Sequence, residues 1–239
     1  MNLSKHNHID KSKMNILILM VFILGSFLLL FIEPYFNFSY WQRSMIKVSM
    51  FVGIPFFLYI RYPSLNPFGS IKFKGRTLLN SLLFGLVVYI FILVAFTLVQ
   101  SFLSFESIKS SLLTNVNVSK ENFIYVALYI SIINSWIEEF FFRGFGYFSV
   151  SPILGKIRTY FLSSILFAIY HIGIVGDWAH PILVIISIIG LFFVGIFFIL
   201  LNERNENFVS SWMIHMFANL AINTIGLHMF GIIQLPFLV

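Results

Sequence analysis

The 239-residue chain has no cysteine, which excludes disulfides, thiolate metal ligands and a cysteine nucleophile. Charge is nearly as scarce: Asp, Glu, Lys and Arg make up 10% of the residues, against about 25% in soluble domains. There is no HExxH and no GxSxG, so neither a zincin helix nor a serine nucleophile elbow is available. Low-complexity segments and convincing internal repeats are also missing. A formal charge of +6 could point to nucleic acid in a soluble protein. Here the basic residues sit in the connections, where they set membrane topology instead.

What the chain has in abundance is apolar mass: 59% hydrophobic residues and a mean hydropathy of +0.93. A helical span needs about 20 apolar residues, so the sequence is that of a polytopic, all-α membrane bundle without a separate soluble domain. The apolar stretches predict eight helices, at about 14–32, 44–60, 77–100, 122–148, 159–175, 181–201, 208–222 and 225–239. They divide into an amino-terminal part, 1–121, holding a polar tail and three helices, a core at 122–225, and a short last helix at 226–239. The segment "MNLSKHNHIDKSK" before the first run reads as the lead into an uncleaved span, because no small-x-small cleavage site follows. Lys5, Lys11 and Lys13 precede the first span, Arg61, Lys72, Lys74 and Arg76 fill the second loop, and Lys156 and Arg158 the fourth. The first, third and fifth loops, with Glu33 and Arg43, Glu106 to Glu121, and Asp177, show no positive excess. The positive-inside rule then puts the amino end and the even-numbered loops in the cytoplasm.

Ionisable residues inside a span are functional hypotheses with partners to be named. The fourth helix carries Asn134, Glu138, Glu139 and Arg143, the fifth ends in "FAIYHIG" with His171, and the seventh places His215, Asn219 and Asn223 on one face at i, i+4 and i+8. Counting about 1.5 Å per residue puts Glu138 about 15 Å from the cytoplasmic end of its helix and His171 about 18 Å in. His215 and Asn219 fall at about 10 and 16 Å by the same rise. All four share one layer, as members of a single site would. Glu139 and Arg143 stand in the favoured i, i+4 order for an intrahelical ion pair. Glu138, about 100° round the helix, is left for other partners. Asn134 and Asn223, each a turn from a motif residue, read as groups that support those residues or as packing rather than as catalytic ones. Asp177, His180 and His228 read as interfacial, and His6 and His8 as solvated. Phe140 to Phe142 are packing mass that could line an apolar groove.

A glutamate with a histidine can deprotonate and orient water, and a second histidine with an amide one turn on supplies donors for an oxyanion. The alternative assembly is a zinc site on Glu138, His171 and His215.

"EEFFFRG", "FAIYH" and "HMFAN" match, in order and spacing, the Glu-Glu-x-x-x-Arg, Phe-x-x-x-His and His-x-x-x-Asn motifs of the CPBP family. This family joins CAAX proteases with bacteriocin-processing enzymes and is also called Abi. The resemblance covers roughly residues 120–225 and leaves the amino-terminal hundred residues without a motif. It implies an intramembrane endopeptidase with a cavity open to the cytosol. By position, Glu138 and His171 would activate water, His215 and Asn219 would form the oxyanion hole, and Glu139 and Arg143 would give structural support. A metal-free mechanism is favoured, although many members carry a metalloprotease label. The expected substrate is a small membrane-associated peptide or protein in a bacterial cell membrane, since the Ile-, Phe-, Asn- and Lys-rich usage fits an AT-rich genome. The competing function is a non-catalytic bacteriocin-immunity or scaffold protein of the same fold. A transporter is disfavoured by the lack of inverted repeats.

Overall fold

A computed structural model describes residues 11–32, 38–65, 67–100, 109–110, 112–114, 118–175 and 181–236. Glu33, Glu106, Asp177, His180 and the tail with His6 and His8 lie outside them. Among the described residues the secondary structure is helical throughout, with no strand. The long helices are α1 (Lys11–Ile32), α2 (Tyr40–Arg61), α3 (Gly75–Val99), α4 (Phe123–Leu154), α5 (Lys156–Tyr170), α6 (Pro181–Asn205) and α7 (Val209–Met229). Five helical segments, in α1, α2, α3, α4 and α6, are long and apolar enough to cross a membrane. α5 is too short to qualify, and α7 carries His215, Asn219 and Asn223 among its apolar residues. The outward faces of α3 and α6 expose large apolar side chains such as Val87, Phe91, Ile186 and Phe193, a surface suited to lipid rather than water.

α4 runs through the middle of the bundle. Its side chains Phe140, Phe141, Phe142 and Phe145 are fully buried. Phe51 of α2 stacks flat on Phe141, with ring centroids 4.0 Å apart. Phe22 of α1 packs at a tilt on the same ring, and Phe167 of α5 meets Phe142 edge-on. The suggestion that Phe140 to Phe142 line an apolar groove is therefore corrected: all three are fully buried, Phe141 and Phe142 in the core that joins four helices and Phe140 against Trp136 and Phe208.

Two hairpins carry the site. Gly155, at φ +82°, turns α4 directly into α5, a conformation that costs glycine no Cβ clash. Glu138 stands seventeen residues before this turn and His171 sixteen after it, so antiparallel arms bring them level. The second hairpin, α6 to α7, turns at Glu206–Phe208, and α7 then packs along α3 and the middle of α4.

Two boundaries differ from the sequence reading. α5 stops at Tyr170, with His171 as its C-cap residue and a single helical turn, Ile172–Val175, beyond. The expected break between a seventh helix at 208–222 and an eighth at 225–239 is not there, since α7 continues to Met229. Residues across the expected break find partners without leaving the helix. Asn223 donates to the Ala127 carbonyl and to Ser131 Oγ, and Tyr89 OH pairs with Thr224 Oγ1. The helix ends instead at Gly231, φ +63°, where Ile232 N–H donates to Leu227 C=O and Gly231 N–H to His228 C=O, a Schellman cap. Residues 230–236 form no helix, so the short last element expected at 226–239 is absent from the described residues.

Candidate active site

The middle of α4 is an ordinary helical stretch, Ser135–Glu139, between two wide π-helical stretches, Tyr129–Asn134 and Phe140–Tyr147. Such widened turns are frequent at functional sites. The two adjacent carboxylates of this stretch leave the helix in different directions and enter two different networks.

Glu139 and Arg143 are both fully buried, with Nη1 donating to Oε1 at 2.8 Å. Ser211 Oγ donates to Glu139 Oε2 at 2.6 Å and itself accepts from Asn202 Nδ2 at 2.7 Å. The Arg143 guanidinium lies 4.1 Å from the centroid of Phe167 and 5.3 Å from that of Phe198. Its Nε and Nη2 have no hydrogen-bond partner among the described residues, and the aromatic faces take up that part of the charge. The network ties α4 to α5, α6 and α7. It also reaches the site, because His215 Nδ1 lies 3.0 Å from Glu139 Oε1.

Glu138 is equally buried, with its two oxygens in different surroundings. Oε1 accepts from Asn134 Nδ2 at 2.8 Å, from Tyr170 OH at 3.2 Å and from Lys47 Nζ at 3.3 Å. Oε2 faces His171 Nε2 at 3.6 Å and His215 Nε2 at 3.8 Å. Both separations exceed a direct hydrogen bond, so the carboxylate oxygen and the two imidazoles converge without pairing directly. His171 Nδ1 lies 2.7 Å from the Phe167 carbonyl. The partners of both Nδ1 atoms, a carbonyl and a carboxylate, can only accept, so each Nδ1 carries a proton. In the neutral rings both Nε2 lone pairs then point at Glu138.

Of the residues singled out in the sequence, Glu138, His171 and His215 meet at one point, and Glu139 and Arg143 form the buried pair beside it. Asn219 is partly buried one turn beyond His215 and donates from Nδ2 to the Ile130 carbonyl at 3.3 Å. Asn134, read as a support of the motif residues or a packing group, donates directly to Glu138. Two neighbours of the site were missed, Tyr170 and Lys47. Tyr170 sits inside the quoted "FAIYH". Lys47 lies in the apolar stretch of α2, where its charge was the available signal.

A zinc ion, if bound, would be held by Glu138, His171 and His215, whose two Nε2 atoms are suitable donors. The placement is a poor fit. Among the described residues no group of three His, Cys, Asp or Glu has metal-site geometry. The Lys47 ammonium also already compensates the carboxylate that would bind the ion.

With this geometry established, comparison with known proteins adds one match. Residues 120–221 match the family model described as Rce1-like, type II CAAX prenyl endopeptidase. The matched segment contains all three motifs and every histidine and carboxylate of the site, and it agrees with the CPBP/CAAX-protease resemblance. The apolar helices and this match indicate a multi-pass membrane protein. No curated protein and no solved structure matches the chain.

Proposed function

We propose that this chain is an intramembrane endopeptidase that cleaves a small membrane-associated peptide or protein, with Glu138 as general base. The observation that supports it is the division of labour on one buried carboxylate. Oε1 is held by three donors, while Oε2 faces two imidazole nitrogens whose tautomers their own neighbours determine.

A water bound beside Oε2 and His171 Nε2 gives a proton to Glu138 as its oxygen attacks the scissile carbonyl carbon. The carbonyl π electrons move to oxygen, and the tetrahedral oxyanion forms. His215 can donate from Nε2 only as the imidazolium, and Glu139, bonded to Nδ1, is the group that stabilises that cation. The second amide proton of Asn219 is the other donor. When the C–N bond breaks, Glu138 returns its proton to the departing amine, which leaves a carboxyl and an amino terminus. Donors aimed at a developing oxyanion are worth about 100- to 1,000-fold each in a dry site.

In cells, Glu138→Ala and Glu138→Gln are expected to accumulate an uncleaved peptide, detected by mass spectrometry, at wild-type expression. Normal processing in both would favour the immunity or scaffold reading. Activity that survives exhaustive chelation is the expected result for a metal-free mechanism. Loss on chelation, with recovery on adding zinc, would shift the chemistry to a metal on Glu138, His171 and His215.

A further inference from the structure

The site has a charged member that lies outside the family-matched segment. Lys47 comes from α2, in the part of the chain without a motif, and its side chain is 13% exposed beside a carboxylate at 1%. Its ammonium donates to Asn134 Oδ1 at 2.7 Å and to Glu138 Oε1 at 3.3 Å, and stands 5.1 Å from the centre of the Tyr170 ring. The first contact matters most. An amide whose oxygen accepts from an ammonium must present its nitrogen elsewhere, and Asn134 Nδ2 donates to Glu138 Oε1 at 2.8 Å. Lys47 therefore acts on Glu138 twice, once directly and once by setting the polarity of the amide beside it. The contact is anchored by packing, because Phe51, one turn along α2, stacks on Phe141, three residues along α4.

Resting on the peptidase reading above, we infer that Lys47 is the positioning residue of the catalytic carboxylate. It holds Oε1 and compensates the buried charge, so that Oε2 alone faces the water and the two histidines. Without the ammonium, the Asn134 amide is free to reverse and present its oxygen to Glu138. The carboxylate would then turn away from the histidines, and a displacement of about 1 Å at a reacting group can cost about 100-fold in rate.

The test uses the full chain in detergent and a synthetic copy of the peptide that accumulates in Glu138→Ala cells. Lys47→Met is expected to lower kcat about 100-fold with KM within about 3-fold, the signature of a lost transition-state arrangement rather than lost substrate binding. Lys47→Arg, which keeps the charge, should recover about a tenth or more of the wild-type kcat. Since the chain has no other cysteine, Lys47→Cys can be alkylated at a single site and the product verified by mass. Alkylation with 2-bromoethylamine restores an ammonium and should restore turnover, whereas iodoacetamide, which adds a neutral amide, should not. Thermal unfolding of each variant shows whether the fold survives. Wild-type kcat in Lys47→Met, or equal recovery with both reagents, would overturn the role of Lys47 while leaving Glu138 as the base. If Glu138→Ala accumulates no peptide, the peptidase reading falls first and this role falls with it.

Discussion

Glu138 and Glu139 are neighbours of one residue type, and their surroundings alone separate them. Glu139 shares a fully buried network with Arg143, Ser211 and His215. Removing one partner of a buried ion pair leaves the other charge uncompensated and costs about 3–5 kcal/mol. Arg143→Met is therefore expected to lower the thermal unfolding temperature in detergent sharply. The double variant Glu139→Leu with Arg143→Met should recover part of the loss, since an apolar pair buries no charge. Arg143→Lys is not conservative here, because the planar guanidinium both pairs with Glu139 and lies over Phe167. The two acids and the arginine were legible in the sequence from the i, i+4 spacing. The sharing of His215 by Glu139 was not, because it joins residues 76 positions apart.

At the scale of helices, α4 decides the geometry of everything around it. Its close contact with α1 depends on Gly146, where an added Cβ would meet the Phe22 ring at 2.2 Å and the Phe141 carbonyl at 3.0 Å. Gly146→Val should destabilise by about 1–3 kcal/mol, as overpacked cores do, and Phe22→Ala in the same chain should relieve part of it. Thermal unfolding of the two single variants and the double gives the coupling. Hydrophobic periodicity located the helices and their hairpin order. It did not show the π-helical stretches on either side of Ser135–Glu139, since those turns change the pitch without changing which residues are apolar. It also ended the seventh helix at 222 and began an eighth at 225, although Asn223 falls on the face of His215 and Asn219. Hydrogen bonds of Asn223 to α4 and of Thr224 to α3 keep both residues helical instead.

For the whole molecule, the orientation we propose puts the Arg61–Arg76 and Lys156–Arg158 connections on the cytoplasmic side. The cysteine-free background makes this directly measurable. Single substitutions Lys74→Cys and Arg158→Cys should react with a membrane-impermeant maleimide in inside-out vesicles and stay protected in intact cells. The reverse pattern would invert the topology and move the site's access to the opposite face. The described bundle also accounts for the shared depth of the motif residues. The α4–α5 turn at Gly155 makes arms of nearly equal length, and α7 lies alongside α4, so Glu138, His171 and His215 arrive together.

The sequence by itself determined the solvent, the helical class and the three motif-bearing turns, because apolar content and i, i+4 spacing are local properties. It also separated the acid with a partner on its own helix from the one left for partners elsewhere. The tertiary structure decided which groups each oxygen of Glu138 meets. That depends on side chains brought in from α2, α5 and α7, and no local pattern encodes their approach. Lys47 shows the limit: a single charge in an apolar run marks its own importance but not its partner. The packing of α2 on α4 and α5, with Phe51 on Phe141, Phe142 and Tyr170, brings that charge against Asn134 and Glu138.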